Sequence, residues 1–151
     1  MEVCQYSKDE LVGKPHNIVR HPDMPKVVFK MMWDRINKGE NIKAVVKNLA
    51  KDGRYYWVMT DFEPTYNSFN NTIRTHTAYR KAAPKKAVDA IIPIYKKLLE
   101  IEKIEGMDAS EKFLNEYLSS NGKTYDEFID EITDYKGLTR QFFEMMKKIF
   151  R

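Results

Sequence analysis

The apolar residues of this 151-residue chain follow two patterns, and the change between them falls near Pro84. Before Pro84, short apolar runs are broken by Gly, Pro and Asp; after it, apolar residues recur every three or four positions almost to the last residue. The first pattern is typical of mixed α and β structure, and the second of amphipathic helices. We therefore predict an α+β domain over residues 1–83 and an all-α C-terminal extension over residues 84–151.

Two helices are predicted in the first segment. Ser7 and Glu10 have the spacing of a capping box, which predicts a short helix after Ser7. Three prolines keep residues 14–25 from forming a long helix, so we predict a loop there. A second helix of about four turns begins after Pro25 and ends near Gly39. Its apolar face consists of Val28, Phe29, Met32, Trp33 and Ile36.

Three strands are predicted between this second helix and the change of pattern. Residues 44–46 and 55–59 are rich in β-branched and aromatic side chains, which favours strands. Asp52-Gly53 between them predicts a hairpin with a type I′ turn, since that turn needs positive φ at both central positions. Residues 72–80 alternate with a period of two, which suits a third strand. Residues 64–71 are predicted to be the loop before that strand.

Four helices are predicted in the second segment. The first runs from Pro84 to Gly106, with Pro93 expected to kink it. The starts of the next two are marked by pairs with N-cap and N3 spacing: Asp108 with Glu111, and Thr124 with Glu127. The third of the four is predicted to end near Gly137, and the last occupies residues 138–150.

Composition limits the class of protein. No apolar run approaches the roughly 20 residues that a membrane-spanning helix needs, so we expect no membrane insertion. The 26 basic and 22 acidic residues give a net charge of +4 but are interspersed, which does not indicate nucleic-acid binding. Cys4 is the one cysteine, and the N-terminal residues lack a signal-peptide pattern. We therefore expect a cytoplasmic location.

Motifs with known catalytic or metal chemistry are missing from the sequence. There is no Gly-rich phosphate loop, no Gly-x-Ser-x-Gly and no His-Glu-x-x-His. The candidate metal ligands His16, His21, Asp23 and His76 match no familiar zinc spacing. A lone cysteine such as Cys4 is more often inert than nucleophilic. We expect that the protein is not an enzyme and that it holds no metal.

A group of aromatic residues lies on elements that would face one small sheet, and it is a stronger indication of a binding site than any catalytic motif. Asn48 and Arg80 are candidate polar contributors beside them. The aromatic set comprises Trp33, Tyr55, Tyr56, Trp57 and Phe62. Two interpretations stay open: a concave apolar site that holds a planar cofactor, or an ordinary aromatic core.

Residues 6–25 carry the most specific motif of the chain. They read Tyr-Ser-Lys-Asp-Glu-Leu-Val-Gly-Lys-Pro-His-Asn-Ile-Val-Arg-His-Pro-Asp-Met-Pro. This run resembles the PAS domains of the aerotaxis (energy-taxis) receptor family, most specifically at Arg20 to Pro25. Further matches are Phe29, Trp33, Val46-Lys47-Asn48, Lys51-Asp52-Gly53, Tyr56-Trp57-Val58 and Arg80. Together they cover about residues 3–82.

The resemblance implies a PAS-like antiparallel sheet with helices on one face. It also implies FAD binding and a role in reporting redox or energy state to the bacterial chemotaxis machinery. Carried over by position, the first flavin-contact candidates are Phe29, Trp33 and Asn48. The further candidates are His16, Asn17, Arg20, His21, Asp23, Tyr56 and Trp57. Aromatic rings pack against an isoalloxazine, an Asn amide bonds its donor and acceptor edges, and Arg meets phosphate.

The chain departs from the family pattern in two places. A PAS domain normally begins with two strands ahead of the helix within residues 4–11, so we expect an N-terminally incomplete sheet. Either the sequence is truncated or another chain supplies that edge. The Pro-Trp pair that the family often has before the Lys-Asn strand is replaced by Asn41-Ile42.

The helical extension does not resemble a membrane anchor or a methyl-accepting region. It is similar to the extension of small PAS proteins of bipartite energy-taxis systems, which implies signalling to a separate membrane-bound methyl-accepting chemoreceptor. An unpaired sheet edge invites association, so a homodimer is a further expectation. The alternative function is a cofactor-free PAS module for protein–protein interaction or dimerisation, and a third is a haem sensor that uses His16 or His21.

Overall fold

A computed structural model of the chain describes residues 3–134 and 137–150. The first segment contains helices and strands, and the second contains helices, which confirms the predicted fold class. In chain order the elements are α1 (Lys8–Leu11), a 3₁₀ turn (His16–Val19), α2 (Lys26–Asn37), β1 (Ile42–Leu49), β2 (Tyr55–Tyr66), β3 (Ile73–Ala82), α3 (Lys85–Ile104), α4 (Met107–Ser120), α5 (Tyr125–Thr133) and α6 (Leu138–Phe150).

The three strands form one antiparallel sheet in the order β1-β2-β3. Side chains alternate along a strand, so Val46 and Asn48 share one face and Val45 and Lys47 lie on the opposite one. We call the face with Asn48 the inner face, because α2 packs over it. Helices of the second segment cover the opposite, outer face, where Tyr95 of α3 binds Val45.

The β1–β2 hairpin forms as predicted, but its turn is of another type. The loop is five residues long, and the amide of Gly53 donates to the carbonyl of Ala50 at 3.0 Å. Gly53 has φ +87°, whereas Asp52 is not among the residues with positive φ. The expectation of a type I′ turn was wrong, because the longer loop needs positive φ only at its glycine.

β2 extends past Pro64, so the loop predicted for residues 64–71 was wrong over its first part. Pro64 pairs with His76 of β3, whereas the pairing of β2 with β1 ends at Phe62. A proline is tolerated where a strand has a neighbour on one side only, because its missing amide removes no ladder hydrogen bond there. The predicted third strand is present as Ile73–Ala82.

Both predicted capping boxes that begin with Ser or Thr are present, at Ser7 and at Thr124. The expected N-cap at Asp108 was wrong. Gly106 caps α4 instead, because its φ of +95° turns the chain directly out of α3, and Asp108 falls in the first turn. α5 ends at Thr133 with Asp134 as its C-cap, earlier than expected; residues 135–136, just before the expected end at Gly137, lie outside the described residues.

The main hydrophobic core spans both segments. Met24 and Val27 of the first segment pack in one cluster with Ile91 and Leu98 of α3 and with Ile129 of α5, all at most 1% exposed. A smaller, separate cluster lies under α6 and consists of Met59, Tyr79 and Phe143, with Phe142 and Met146 packed against it. Within the described ranges, no helix is long and apolar enough to cross a bilayer.

Candidate functional site

A cavity of about 360 Å³ lies between the inner face of the sheet and α2. This volume is at the lower end of the roughly 300–1,000 Å³ that is typical of small-molecule sites. It is lined by Pro15, His16, Asn17, Val19, Arg20, Phe29, Met32, Trp33, Ile36, Val46, Asn48, Thr60, Phe62 and Arg80. Six of the ten residues predicted from sequence line it together: His16, Asn17, Arg20, Phe29, Trp33 and Asn48.

One helix supplies the apolar wall of the cavity. Phe29, Met32, Trp33 and Ile36 follow the three- and four-residue spacing that places side chains on one helix face. Met32 and Ile36 are buried, whereas Trp33 is 45% exposed and therefore reaches the open side. The wall thus combines a packed base with an accessible aromatic ring.

Arg20 is held in a fixed position at this wall. Its guanidinium donates to the carbonyl oxygen of Met24 at 3.0 Å and lies 4.4 Å from the ring centroid of Phe29. Its backbone forms an isolated antiparallel bridge with Asn48. The loop that carries Arg20 is thereby joined to both α2 and β1.

Asn48 provides a buried amide in the floor of the cavity. The residue is 4% exposed and pairs across the strands with Tyr56. Burial raises the pKa of the Tyr56 hydroxyl, and a side-chain hydrogen bond with Asn48 opposes that rise. Thr60, two positions beyond Val58 in β2, places a second buried polar side chain on the same face.

The charged residues that line the cavity are arginines. Arg20 and Arg80 both line it, and no carboxylate is found among its described lining residues. Partial desolvation lowers the pKa of Arg80 and of His16, although both residues stay exposed, and the nearby Arg80 charge lowers that of His16 further. His16 is therefore neutral at neutral pH. The result is an aromatic and apolar site with positive charge, which suits a planar ligand that carries an anionic group.

Three of the remaining predicted residues lie on the other side of the sheet. Asp23 forms an ion pair with Lys47 at 2.6 Å, and this hydrogen bond lowers the pKa of the Asp23 carboxyl. His21 packs edge-on against Tyr55, with ring centroids 5.8 Å apart. Trp57 stacks on the ring of Tyr95 in α3. The structure therefore does not bring these three side chains to the cavity.

The fourth remaining residue, Tyr56, lies beside the cavity. It lines a separate surface depression with Val3, Gln5, Arg54 and Tyr55. It is connected to the cavity through its side-chain hydrogen bond with Asn48.

Several lining residues were not named from the sequence as site residues. Met32 and Ile36 share the apolar face of α2 with Phe29 and Trp33, so their spacing could have identified them. Thr60 and Phe62 continue the alternation of β2 from Tyr56 and could have been found once that strand's full length was known. The described residues contain no group of three or more His, Cys, Asp or Glu side chains that could hold a metal ion.

A short antiparallel sheet with a helix-walled cavity on one face is the architecture of PAS domains. Residues 2–79 match the family described as PAS fold, and the chain belongs to that family. It is a PAS signal-transduction domain with a helical extension, related to known sensory proteins.

Two relatives place the domain among signalling proteins. The aerotaxis receptor of Escherichia coli (strain K12) is 40% identical over 98 residues, which cover 65% of this chain and 19% of the receptor. The biofilm dispersion protein BdlA of Pseudomonas aeruginosa is 30% identical over 63 residues, 41% of this chain and 14% of that protein. The chain thus spans less than a fifth of the length of either relative.

A solved structure supports the fold. A light-oxygen-voltage domain studied with a flavin analogue superimposes with a TM-score of 0.55 at 14% identity, covering 61% of this chain and 67% of that domain. At this identity, the likeness concerns the fold alone.

Proposed function

We propose that this PAS domain is a cytoplasmic, non-enzymatic sensor that binds FAD in the inner-face cavity and relays redox or energy state to a membrane-bound chemotaxis receptor. The observation that carries the proposal is the chemistry of the cavity. An aromatic wall, a buried amide and two arginines converge there, and no described lining residue carries an opposing carboxylate.

These residues fit the parts of a flavin dinucleotide. Phe29 and Trp33 would pack against the ring system, and Asn48 would bond to its polar edge. Arg20 and Arg80 would hold phosphate oxygens, since a guanidinium matches phosphate geometry. When bound, FAD supplies reversible oxidation and reduction with a change in ring protonation.

The residues of the protein would hold and orient the flavin. Arg20 is fixed by Met24 and Phe29, so its charge is preorganised. His16 stays neutral at neutral pH because its pKa is lowered. A change in the hydrogen bonding of Asn48 would reach Tyr56, its partner across the strands, without passing through solvent.

The cofactor-free interaction module remains a second candidate function, and one observation favours it. In the described sheet, β3 pairs with β2 along one edge, and its other edge has no strand beside it. Unpaired strand edges pair readily with another strand. A homodimer formed through β3 would therefore also suit this fold.

The test is to purify the full chain, reconstitute it with FAD and record its visible absorption spectrum and binding affinity. We expect flavin bands that bleach on reduction, and Asn48→Ala should weaken binding about tenfold or more. Tyr55→Phe, on the outer face, is the matched control and should bind as the wild type does. If FAD does not bind while the chain self-associates, the interaction module is the correct function.

A membrane-bound methyl-accepting chemoreceptor is the partner to test next. Co-purification of the chain with such a receptor, changed by reduction of the bound flavin, would support the relay. Unchanged co-purification in both redox states would argue against it.

A further inference from the structure

The N-terminus of α2 is capped by a residue from α3. α2 begins after Pro25, and no N-cap side chain bonds to its first amides. The carboxylate of Glu102 supplies that cap: one oxygen accepts from the amide of Lys26 at 2.9 Å and the other from the amide of Val27 at 2.8 Å. A carboxylate there satisfies two orphan amides and interacts favourably with the helix dipole. α3 therefore holds the helix that forms the cavity wall.

α3 also holds the sheet that forms the cavity floor. The hydroxyl of Tyr95 donates a buried 2.7 Å hydrogen bond to the carbonyl oxygen of Val45. The ring of Tyr95 stacks on Trp57 with centroids 6.4 Å apart. Val45 directly precedes Val46, which lines the cavity from the other face of β1.

Both contacts come from one face of a single helix. Tyr95 and Glu102 are seven residues apart, which is about two turns and about 10 Å along the axis. Pro93 precedes both, and a proline within a helix removes one backbone hydrogen bond and permits a bend. The part of α3 after Pro93 is thus a short rigid rod fixed at one end to the sheet and at the other to α2.

Further contacts between α2 and the extension strengthen this connection. Lys30 pairs with Glu111 of α4 at 3.0 Å, and Arg35 makes two hydrogen bonds to Asp126 of α5, at 2.7 and 2.9 Å. These pairs are partly exposed and weaker than a buried contact. They nevertheless join α2 to every helix from α3 to α5.

We propose that α3 couples the two walls of the cavity, α2 and β1, with Tyr95 and Glu102 as its positioning residues. A ligand that moves α2 relative to β1 must move the rod after Pro93 or break one of its two contacts. The extension then reports cavity occupancy. The identity of the ligand, FAD, rests on the proposed function. The contacts that join α3 to the two walls do not depend on it.

The link has to work in both directions, because a coupling free energy between two sites is reciprocal. Loss of Glu102 should loosen the cavity wall, and a change in the cavity should be felt at α3. The two tryptophans of the chain report these ends separately. Trp33 lies in the cavity wall, and Trp57 lies against Tyr95.

The first experiment needs no flavin. In the full chain with Trp57→Phe, Glu102→Ala should raise acrylamide quenching of Trp33 about twofold and amide exchange from Lys26 to Phe29 about fivefold, since a lost cap frees the first turn. Glu105→Ala, an exposed acid at the end of the same helix, is the matched control and should change neither. Faster exchange with unchanged quenching of Trp33 would overturn the proposal, because the cap would then be local.

The reverse direction uses the chain with Trp33→Phe. Asn48→Ala in the cavity floor should change the quenching of Trp57 and the amide exchange of residues 94–104. No change at either place would contradict a link between cavity and α3. Neither arm requires a bound ligand, so both judge the inference even if FAD proves not to be the cofactor.

The last arm adds FAD to the chain with its native tryptophans. We expect FAD to slow amide exchange over residues 94–104, and Glu102→Ala to weaken FAD binding about two- to fivefold while Glu105→Ala leaves it unchanged. FAD binding without any effect on residues 94–104 would overturn the coupling and leave the proposed cofactor standing. Absence of FAD binding would overturn the cofactor, while the tryptophan experiments would still decide the coupling.

Discussion

Thr60 and Asp61 are neighbours in β2, yet they serve opposite faces of the sheet. Thr60 lines the cavity, whereas Asp61 is 2% exposed and forms an ion pair at 3.0 Å with Lys147 of α6. Glu63, on the same face as Asp61, lies 3.9 Å from the same ammonium group. The outer face therefore contains two buried acids that lie near the ammonium group of Lys147 in α6.

Asp61 should make stability depend on pH in an unusual direction. Burial raises the pKa of its carboxyl; the charges of Lys147 and Lys43 oppose that rise, and the charge of Glu63 adds to it. A carboxyl whose pKa is raised by folding contributes stability below its unfolded pKa and loses that contribution as pH rises through its folded pKa. The stability of the wild type relative to Asp61→Asn should therefore fall as pH rises above about 4, the ordinary pKa of an aspartate.

Urea unfolding at several pH values in that range would measure this difference. Asp89→Asn, which removes an exposed partner of Lys85, is the control and should give a nearly constant difference. A difference that grows with pH would mean that attraction to Lys147 outweighs the cost of burying the carboxylate.

Two tyrosines with buried hydroxyl groups should respond oppositely to the removal of those groups. Tyr125 has a buried hydroxyl without a hydrogen-bond partner among the described residues, and burial raises its pKa. An unsatisfied buried polar group costs about 1–3 kcal/mol, so Tyr125→Phe should stabilise the fold by about 1 kcal/mol. Tyr95→Phe, which loses the bond to Val45, should destabilise it by about 1 kcal/mol.

Denaturant midpoints of the two variants check this pair, and each serves as the control of the other. If Tyr125→Phe destabilised the protein, its hydroxyl would have to be bonded, for example to a buried water molecule.

A side chain at Gly39 should destabilise the fold. Its φ is +77°, and an added Cβ would collide with the hydroxyl of Tyr66, which donates a hydrogen bond to the Gly39 carbonyl. Gly39→Ala should cost about 1–3 kcal/mol from backbone strain together with this collision. Combining it with Tyr66→Ala should recover the part due to the collision and leave the part due to φ. Strictly additive effects of the two changes, measured by thermal unfolding, would contradict that account.

Glu10 should titrate well below an ordinary glutamate. A hydrogen bond from Lys51 is the largest cause, and a hydrogen bond from the backbone amide of Ser7 is the next. Together they lower the pKa of the Glu10 carboxyl to about 2. Because the pKa is lowered by folding, the contribution is present above the unfolded value of 4.5 and is lost as pH falls towards 2. A carbon-detected NMR titration of the Glu10 carboxyl checks this value. Lys51→Ala should move the midpoint up, whereas Lys8→Ala, an exposed lysine of the same helix, should leave it in place.

Local patterns in the sequence predicted most of the elements. Capping residues and apolar spacing identified α1, α2 and α5, and the Asp-Gly pair identified the β1–β2 hairpin, because each depends on neighbours within a few positions. The passage of β2 through Pro64 was missed, since it depends on β1 having ended beside Phe62. The length of a neighbouring strand is a property of the whole sheet, and a local sequence pattern cannot predict it.

The candidate site was predictable only in part. The run from Arg20 to Pro25 singled out the right loop, but its side chains divide between two faces: Arg20 goes to the cavity, and Asp23 goes to Lys47 on the outer side. A motif gives the identity of its residues and not their directions. The cap from Glu102 to α2 joins residues 75 and 76 positions apart, so it could be found only in three dimensions.

The covering of the outer face by α3 also has a consequence for how the protein is made. The strands are synthesised before α3, whose 20 residues take about 1 to 4 s at about 5–20 residues per second. During that interval, Trp57 and the backbone of Val45 lack the helix that later covers them. The apolar outer face of the nascent sheet is therefore exposed until α3 has been made and can cover it.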